Sequence, residues 1–323
     1  MHRREIITLL GSAPAWRLVA GEHNPALSVV ALLGTESREA SAERLRLFRD
    51  ALAEAGHVDG RDVMIEYYSS GGSAERLSAL AGDLARQPPA VIVATDTQAA
   101  LAAKAATPTV PIVFQAGADP VELGLVASIK RPGGNLSGIA MLTSTFAAKR
   151  LQLLHELAPA AESVAVLSNA ANPAADAEAR QLQPAADALG LSLLVLHARD
   201  RNEIEGVFAT IAEQGADALL VGADPVFIVE RDRIVALAAQ HAVPAIYQYR
   251  DFVRAGGLAS YGTNLGSGFR LLAVYTAQIL KGARPAELPV VQATRFELVI
   301  NLKTAAALGL TVPPTLLVDE VIE

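Results

Sequence analysis

No cysteine occurs among the 323 residues. That absence excludes a disulfide framework, a thiolate nucleophile and a lipid carried on an N-terminal cysteine. No stretch reaches the roughly 18 apolar residues that a spanning helix needs, so the mature chain is not expected to insert in a membrane. Aromatic residues make up only 5%, no basic run interleaves with them, and the formal net charge is -7. Nucleic acid therefore finds no electrostatic footprint. His57, His155, His197 and His241 are scattered without ligand spacing, so no metal is expected. The segment after the first apolar run, LLGTESREA, lacks G-x-G-x-x-G, and neither G-x-x-x-x-G-K-[ST] nor G-x-S-x-G occurs anywhere. Dinucleotide, nucleoside-triphosphate and α/β-hydrolase readings lose their usual warrants, and no cofactor is expected.

What is present is a hydrophobic fraction of 51% against 19% charged residues, enough for two α/β domains of ordinary size. The most informative stretch runs from Pro89 to Pro120, PAVIVATDTQAALAAKAATPTVPIVFQAGADP. Two apolar runs, Val91 to Ala94 and Ile112 to Phe114, each break into small and polar residues, with an alanine-rich helical segment between them. Continuous β-branched runs of this kind suit parallel strands covered on both faces. Ligands of open α/β sheets sit beyond the carboxyl ends of the strands, which singles out Thr95 to Gln98 and Gln115 to Asp119. The same construction returns in Asp217 to Gln248, with a single helix expected over Val226 to His241.

Around these two units the remaining elements fall into matching order. The first copy has a strand at Leu27 to Leu33, a helix from Ser41 to Ala55 capped by Ser41, and an alternating edge strand at Val63 to Tyr67. A helix over Ala74 to Arg86, a short helix over Pro120 to Ser128 and a strand over Ser137 to Leu142 complete it. The second copy repeats the order from Ser163 to Tyr261, and a tail beginning near Leu265 has no counterpart in the first. Repeated βα units fold as doubly wound parallel sheets. The expectation is an α/β protein of two Rossmann-like lobes, residues 26–142 and 145–261, with parts of the tail, about 264–323, returning toward the first. A hinge joins the lobes, and the cleft between them is a natural ligand trap.

The first 21 residues read differently. Arg3-Arg4, the apolar Ile6 to Leu10, and Leu18-Val19-Ala20-Gly21 with its small residues mark an export signal. The arginine pair resembles a twin-arginine signal, from which His2, Thr8 and Arg17 depart. Removing residues 1–21 takes three of 27 basic and one of 34 acidic residues, leaving 24 against 33 and a net charge of -9.

The polar elbows include Thr35-Glu36, Thr95 to Gln98, Gln115 to Asp119, Asn169 to Asn172, Gly222 to Asp224, Tyr247-Gln248 and Ser260 to Gly262. Several stand at helix N-termini, where free N–H groups and the positive dipole end attract a carboxylate or phosphate. Each of these residues also suits a plain helix cap. Asp119 and Asp224 both precede proline, the usual arrangement of an N-cap followed by proline at the first helical position, and either is suited to pair with a ligand amine. The tyrosines near the second copy's late elbows offer an apolar wall.

The segments RREIITLLG, AKAATPTVPIVFQAGADPVELGLVASIKRPGGNLSGI, AAKRLQLLHELAPA, ADALLVGADPVF, AVPAIYQ, GGLASYG and FELVINLKTAAALGLTVPPTLL fall in one order across almost the whole chain. In that pattern the chain resembles the ABC transporter substrate-binding protein family, which includes tryptophan-binding members. The resemblance implies a periplasmic binding protein of type I-like fold with three crossovers and a closing cleft. It further implies a non-enzymatic, monomeric carrier that delivers a small molecule to membrane permease subunits. Its implied ligand-facing residues are Thr35, Thr97, Gln98, Asp119, Asn169, Asp224, Tyr247 and Tyr261. Asp96 stands where relatives often have Gly. The ligand class expected from these groups is an amino acid or related carboxylate with an apolar side chain. Two other classes compete with it. A ligand-sensing regulator would need a DNA-binding segment before the first strand, where only some 26 residues stand. A cleft enzyme would need a converging nucleophile, base and orienter, which the spacing does not supply.

Overall fold

The computed structural model describes residues 27–323. The expected export signal, residues 1–21, lies outside the described residues. The chain starts with β1 (Ser28–Gly34), α1 (Ala42–Glu54), β2 (Val63–Ser69), α2 (Ala74–Arg86), β3 (Val91–Ala94), α3 (Thr97–Ala106), β4 (Ile112–Ala116) and β5 (Leu136–Ala140). A 3-10 turn at Thr143–Phe146 leads to α4 (Ala147–Leu157), β6 (Ser163–Ser168), α5 (Pro173–Leu189), β7 (Ser192–His197), α6 (Arg201–Gln214) and β8 (Ala218–Val221). Then come α7 (Pro225–Val229), α8 (Arg231–Gln240), β9 (Ala245–Tyr247), α9 (Arg250–Arg254) and β10 (Ala259–Thr263). The tail supplies α10 (Leu265–Leu280), β11 (Val291–Gln292), β12 (Phe296–Asn301), α11 (Leu302–Ala307) and β13 (Glu320–Ile322).

The two copies share one topology. Strand order is β11-β5-β4-β3-β1-β2 in the first sheet and β13-β12-β10-β9-β8-β6-β7 in the second. Without the tail strands, each lobe places its own five strands in the order fifth, fourth, third, first, second. All the pairings within those five are parallel. The tail divides between the lobes. Strand β11 extends the first sheet beside β5, while β12 joins the second, antiparallel to β10, and β13 follows it. The chain thus crosses between lobes three times, around residues 141–146, 263–265 and 292–296. At the first crossing Leu142 holds a left-handed φ of 53°, a conformation uncommon for a residue with a Cβ.

The central strands are buried on both faces, as their apolar runs require: Val91 to Ala94 and Ala218 to Val221 are all fully buried. Helix α1 turns Leu45, Phe48 and Leu52 inward at its 3.6-residue spacing, toward α10. Removing the Phe48 ring would cost about 3–5 kcal/mol at so closed a position. Helix α10 buries Leu265, Phe269, Leu272, Ala273 and Thr276, because it lies between α1 and strands β3, β4 and β5 of the first lobe. Gly268 lets it approach the sheet: a Cβ there would lie 2.2 Å from Gln115 Oε1.

Three local expectations are corrected. The single helix expected over Val226 to His241 is two, because Glu230 ends α7 and starts α8. Residues Pro120 to Ser128 form turns rather than a helix, with Asp119 Oδ1 taking the Val121 N–H at 2.7 Å. Ser41 does not cap α1: its hydroxyl lies 3.3 Å from both Glu36 Oε2 and the Tyr67 hydroxyl. Caps do form where Asx or Ser side chains meet free amides, at Ser73 for α2, Asp200 for α6 and Asn264 for α10.

Candidate functional site

The sheet register brings polar elbows level with one another. Leu33 pairs with Ala94, so two residues further on Thr35 stands beside Asp96. The Asp96 carboxylate accepts the Thr35 N–H and hydroxyl at 2.9 Å each, and through Oδ1 it caps α3 at the Ala99 N–H, also 2.9 Å. In the second lobe Leu167 pairs with Val221, which brings the elbow at Asn169 beside that at Asp224. Asp224 accepts the side-chain amides of Asn169 and Asn172 at 3.1 and 2.8 Å, and caps α7 at the Val226 N–H at 2.8 Å. The two carboxylates come from opposite lobes and line one inner cavity of about 50 Å³. Its apolar wall is Met141, Ile228, Leu265 and Phe269.

A larger outer hollow of about 920 Å³ adjoins it, and Arg44, Tyr249 and Leu265 line both. Arg44 projects from α1 of the first lobe, pairs with Glu36 and reaches Asp251 of α9 in the second lobe at 3.5 Å. Its guanidinium also lies 5.8 Å from the Phe269 ring centroid. The Tyr249 hydroxyl is 3.1 Å from that of Thr143 at the first crossing, and burial pushes its pKa up to about 12. Arg44, Tyr249 and Leu265 thus stand where the inner cavity and the outer hollow meet.

The electrostatics of the inner cavity are those of enclosed carboxylates. Desolvation raises the pKa of Asp96, against the hydrogen bonds that favour its charged form. Desolvation likewise raises Asp224, and the negative charge of Asp96 adds to the effect. Burial also raises Glu36, with Arg44 pulling the other way. Behind the second-lobe elbow, Arg150 is fully buried, bonds Glu178 at 2.6 Å and donates to the Thr143 carbonyl at 3.0 Å. Glu178 in turn accepts the Ala223 N–H at 2.9 Å, and its own pKa is raised by burial against the pull of Arg150. Gly222 belongs to the same contact, since a Cβ there would sit 2.7 Å from Glu178 Oε2.

A family model described as ABC transporter substrate binding protein matches residues 28–321. The chain belongs to that family. This substrate-binding protein is 27% identical over 266 residues to a tyrosine-binding protein of Clostridioides difficile, across 81% of this chain and 75% of the relative. Among solved structures it overlays on a Streptococcus pneumonia ABC domain in complex with L-Trp with a TM-score of 0.83, at 24% identity, covering 92% of this chain and 100% of that one. A conserved domain protein from Vibrio cholerae gives 0.84 at 26% identity, covering 91% and 99%. The ligand-free, open form of a Clostridium difficile substrate binding protein gives 0.65 at 24% identity, covering 92% and 99%. The fold is thus the two-lobed α/β arrangement of type I periplasmic binding proteins. Among the described residues no helix is long and apolar enough to cross a membrane.

Of the side chains that the sequence singles out in this substrate-binding protein, Thr97 and Asp224 line the inner cavity. The Thr97 hydroxyl oxygen accepts the Gly117 N–H at 3.0 Å, tying the elbows after β3 and β4 together. Thr35 and Asn169 stand one layer back, each donating to the carboxylate of its own lobe. Gln98, Asp119, Tyr247 and Tyr261 do not line the cavity. Gln98 contributes its backbone N–H to Asp96. Asp119 is spent on its own turn. Tyr247 is 1% exposed and stacks on Phe252 with ring centroids 4.7 Å apart, so it belongs to the core. Tyr261 packs edge-on against Phe146 beside the crossings, at 5.9 Å. The aromatic side chains that line the cavity are Tyr249 and Phe269 rather than Tyr247 and Tyr261, and the first-lobe carboxylate that lines it is Asp96 rather than Asp119.

Arg44 and Phe269, on helices whose packing partners are distant in sequence, carry no local signal of their role, whereas Glu36 has one as part of the elbow after the first strand. Asp96, Gln115 and Asn172 had one, their position at elbows beyond strand ends.

Proposed function

We propose that this protein is the extracytoplasmic solute-binding component of an ABC importer. It traps an amino acid with an apolar side chain in the interlobe cleft and delivers it to the membrane permease subunits as a non-enzymatic monomer. Export precedes that role, by the signal in residues 1–21. The observation that carries the reading is the inner cavity between the lobes, where Asp96 and Asp224 face a ligand from opposite sides beside Met141, Ile228 and Phe269. Carboxylates answer an ammonium, and the apolar side chains answer a hydrophobic body. The relatives support the same class, since one is a tyrosine-binding protein and another is in complex with L-Trp. The site residues in this reading are Asp96, Thr97 and Asp224 at the cavity, with Thr35 and Asn169 holding the carboxylates in place.

Native mass spectrometry of freshly purified protein, followed by calorimetry on the twenty amino acids, tests the proposal. The expected result is a co-purifying amino acid that rebinds with a Kd of about micromolar or tighter, which corresponds to roughly 8 kcal/mol. Binding of a neutral sugar with no response to any amino acid would refute it.

A further inference from the structure

The two halves of the inner cavity are joined by a chain of hydrogen bonds that runs behind it, through the first crossing. On the first-lobe side the Thr97 hydroxyl accepts the Gly117 N–H at 3.0 Å, and the Gly117 carbonyl accepts the Ser144 N–H at 3.1 Å and its hydroxyl at 3.2 Å. On the second-lobe side the Thr143 carbonyl accepts Arg150 Nη1 at 3.0 Å, Arg150 Nη2 donates to Glu178 Oε1 at 2.6 Å, and Glu178 Oε2 accepts the Ala223 N–H at 2.9 Å. Both ends of the chain are cavity wall: Thr97 and Gly117 line it from one lobe, Ala223 and Asp224 from the other. The two sides meet in a single peptide unit. The Thr143 carbonyl and the Ser144 N–H belong to one planar group, which turns only as a whole.

Thr143, Ser144 and Arg150 are fully buried, so a displaced member of the chain would leave a polar group without a partner and without water. The Thr143 hydroxyl adds a contact to the Tyr249 hydroxyl, and Tyr249 also lines the cavity. Leu142, just before, holds its left-handed φ of 53° in a narrow allowed region, which leaves the backbone little room to absorb a rotation of the next peptide. From this arrangement we infer that the Thr143–Ser144 peptide is the link by which the two half-sites set each other's position, and that Arg150 is a positioning residue for ligand binding although it lies outside the cavity. Its effect on affinity rests on the amino-acid reading above; the link itself does not.

The test is residue-resolved amide hydrogen exchange by NMR on the exported chain without ligand, with Val93 and Leu220 at the centres of the two sheets as references for global opening. Arg150→Lys keeps the charge opposite Glu178 and replaces the two-nitrogen fork by one ammonium. It is expected to speed exchange at Ala223 in its own lobe and, through the shared peptide, at Gly117 in the other, each by about tenfold relative to the references, the loss of about one hydrogen bond to a charged group. Ser144→Ala removes a single bond on the first-lobe side and is expected to speed exchange at Ala223 by roughly two- to tenfold. A merely structural role would confine each change to the lobe next to the substitution, and a general loss of stability would move the reference amides as well. Calorimetry with whichever of the twenty amino acids the parent binds should then show Arg150→Lys about tenfold weaker. Either variant leaving the opposite lobe's amide unmoved overturns the inference, as does an unchanged affinity in Arg150→Lys. A parent that binds no amino acid defeats the amino-acid reading, and exchange across the lobes still decides whether the link exists.

Discussion

Asp96 and Asp224 occupy equivalent positions in the two lobes. Each stands at the elbow after the third strand of its lobe, caps the helix that follows, and receives a donor from the elbow after the first strand. Thr35 supplies that donor in one lobe and Asn169 in the other. The internal repeat therefore extends from the strand order down to single hydrogen bonds, and the two lobes set two copies of one carboxylate around the same cavity.

Closure is expected to depend on the Arg44–Asp251 pair, which links α1 of the first lobe to α9 of the second. Asp251→Asn leaves Arg44 its bond to Glu36 and removes only the attraction between lobes. A partly enclosed pair of this kind is worth about 1 kcal/mol, so ligand affinity should fall about fivefold through a larger open population. Small-angle scattering of the ligand-free variant should give a larger radius of gyration than the parent. Equal radii with unchanged affinity would remove this pair from the account of closure.

Arg150 and Glu178 predict a stability effect with a diagnostic rescue. Arg150→Met strands a buried carboxylate and removes the donor to the Thr143 carbonyl, at a cost of about 3–5 kcal/mol in urea unfolding. Adding Glu178→Gln to that variant removes the stranded charge and should restore a large part of the loss. A double variant no more stable than Arg150→Met would mean that the charge is not what destabilises it.

The raised carboxylates give the empty cleft a pH dependence of definite sign. Desolvation lifts Asp96, Asp224 and Glu36 above the ordinary carboxylate range. Between that range and the raised values, the closed form holds protons that the open and unfolded forms have released, so it loses stability as pH rises through the window. A cationic ligand favours the ionised groups, so its binding in that window expels protons and tightens with rising pH. Calorimetry of an amine ligand in buffers of different ionisation enthalpy should register proton release, fading at higher pH. Proton uptake would reverse the assignment.

The proposed export would leave a spectroscopic mark. The single tryptophan of the chain is Trp16, within the expected signal. Protein recovered from the periplasm should have an intact mass matching cleavage near Ala20 or Gly21, and its intrinsic fluorescence should show tyrosine emission alone. Tryptophan emission from periplasmic material would show that the segment is retained.

The α/β class, the repeated βα order and the line of polar elbows were legible in the chain, because each rests on local patterns. Apolar runs such as Val91 to Ala94 can satisfy their backbone and side chains together only as covered strands. A parallel sheet then leaves its carboxyl ends as the place where loops meet a ligand. Which elbow residues face the cavity was only partly legible. Asp119-Pro120 and Asp224-Pro225 look alike in sequence, yet Asp119 closes a turn while Asp224 reaches the cavity, and the true counterpart of Asp224 is Asp96 with no proline after it. Tyr247 ends β9 and Tyr249 follows two residues later, and one is core while the other lines the cleft.

Hydrophobic period, strand-ending polar residues and charge composition settle the architecture, the number of lobes and the end of the sheets where a ligand belongs. Side-chain roles at the cleft are settled by contacts between segments far apart in the chain. Arg44 meets Asp251 across 207 positions, and the cavity wall combines α1, both sets of elbows and α10. A carboxylate's role as cap, ion-pair partner or ligand depends on which donors and how much water surround it. Those surroundings exist only once the lobes have packed, with Gly268 admitting Gln115 and Gly222 admitting Glu178 at distances that no local pattern encodes.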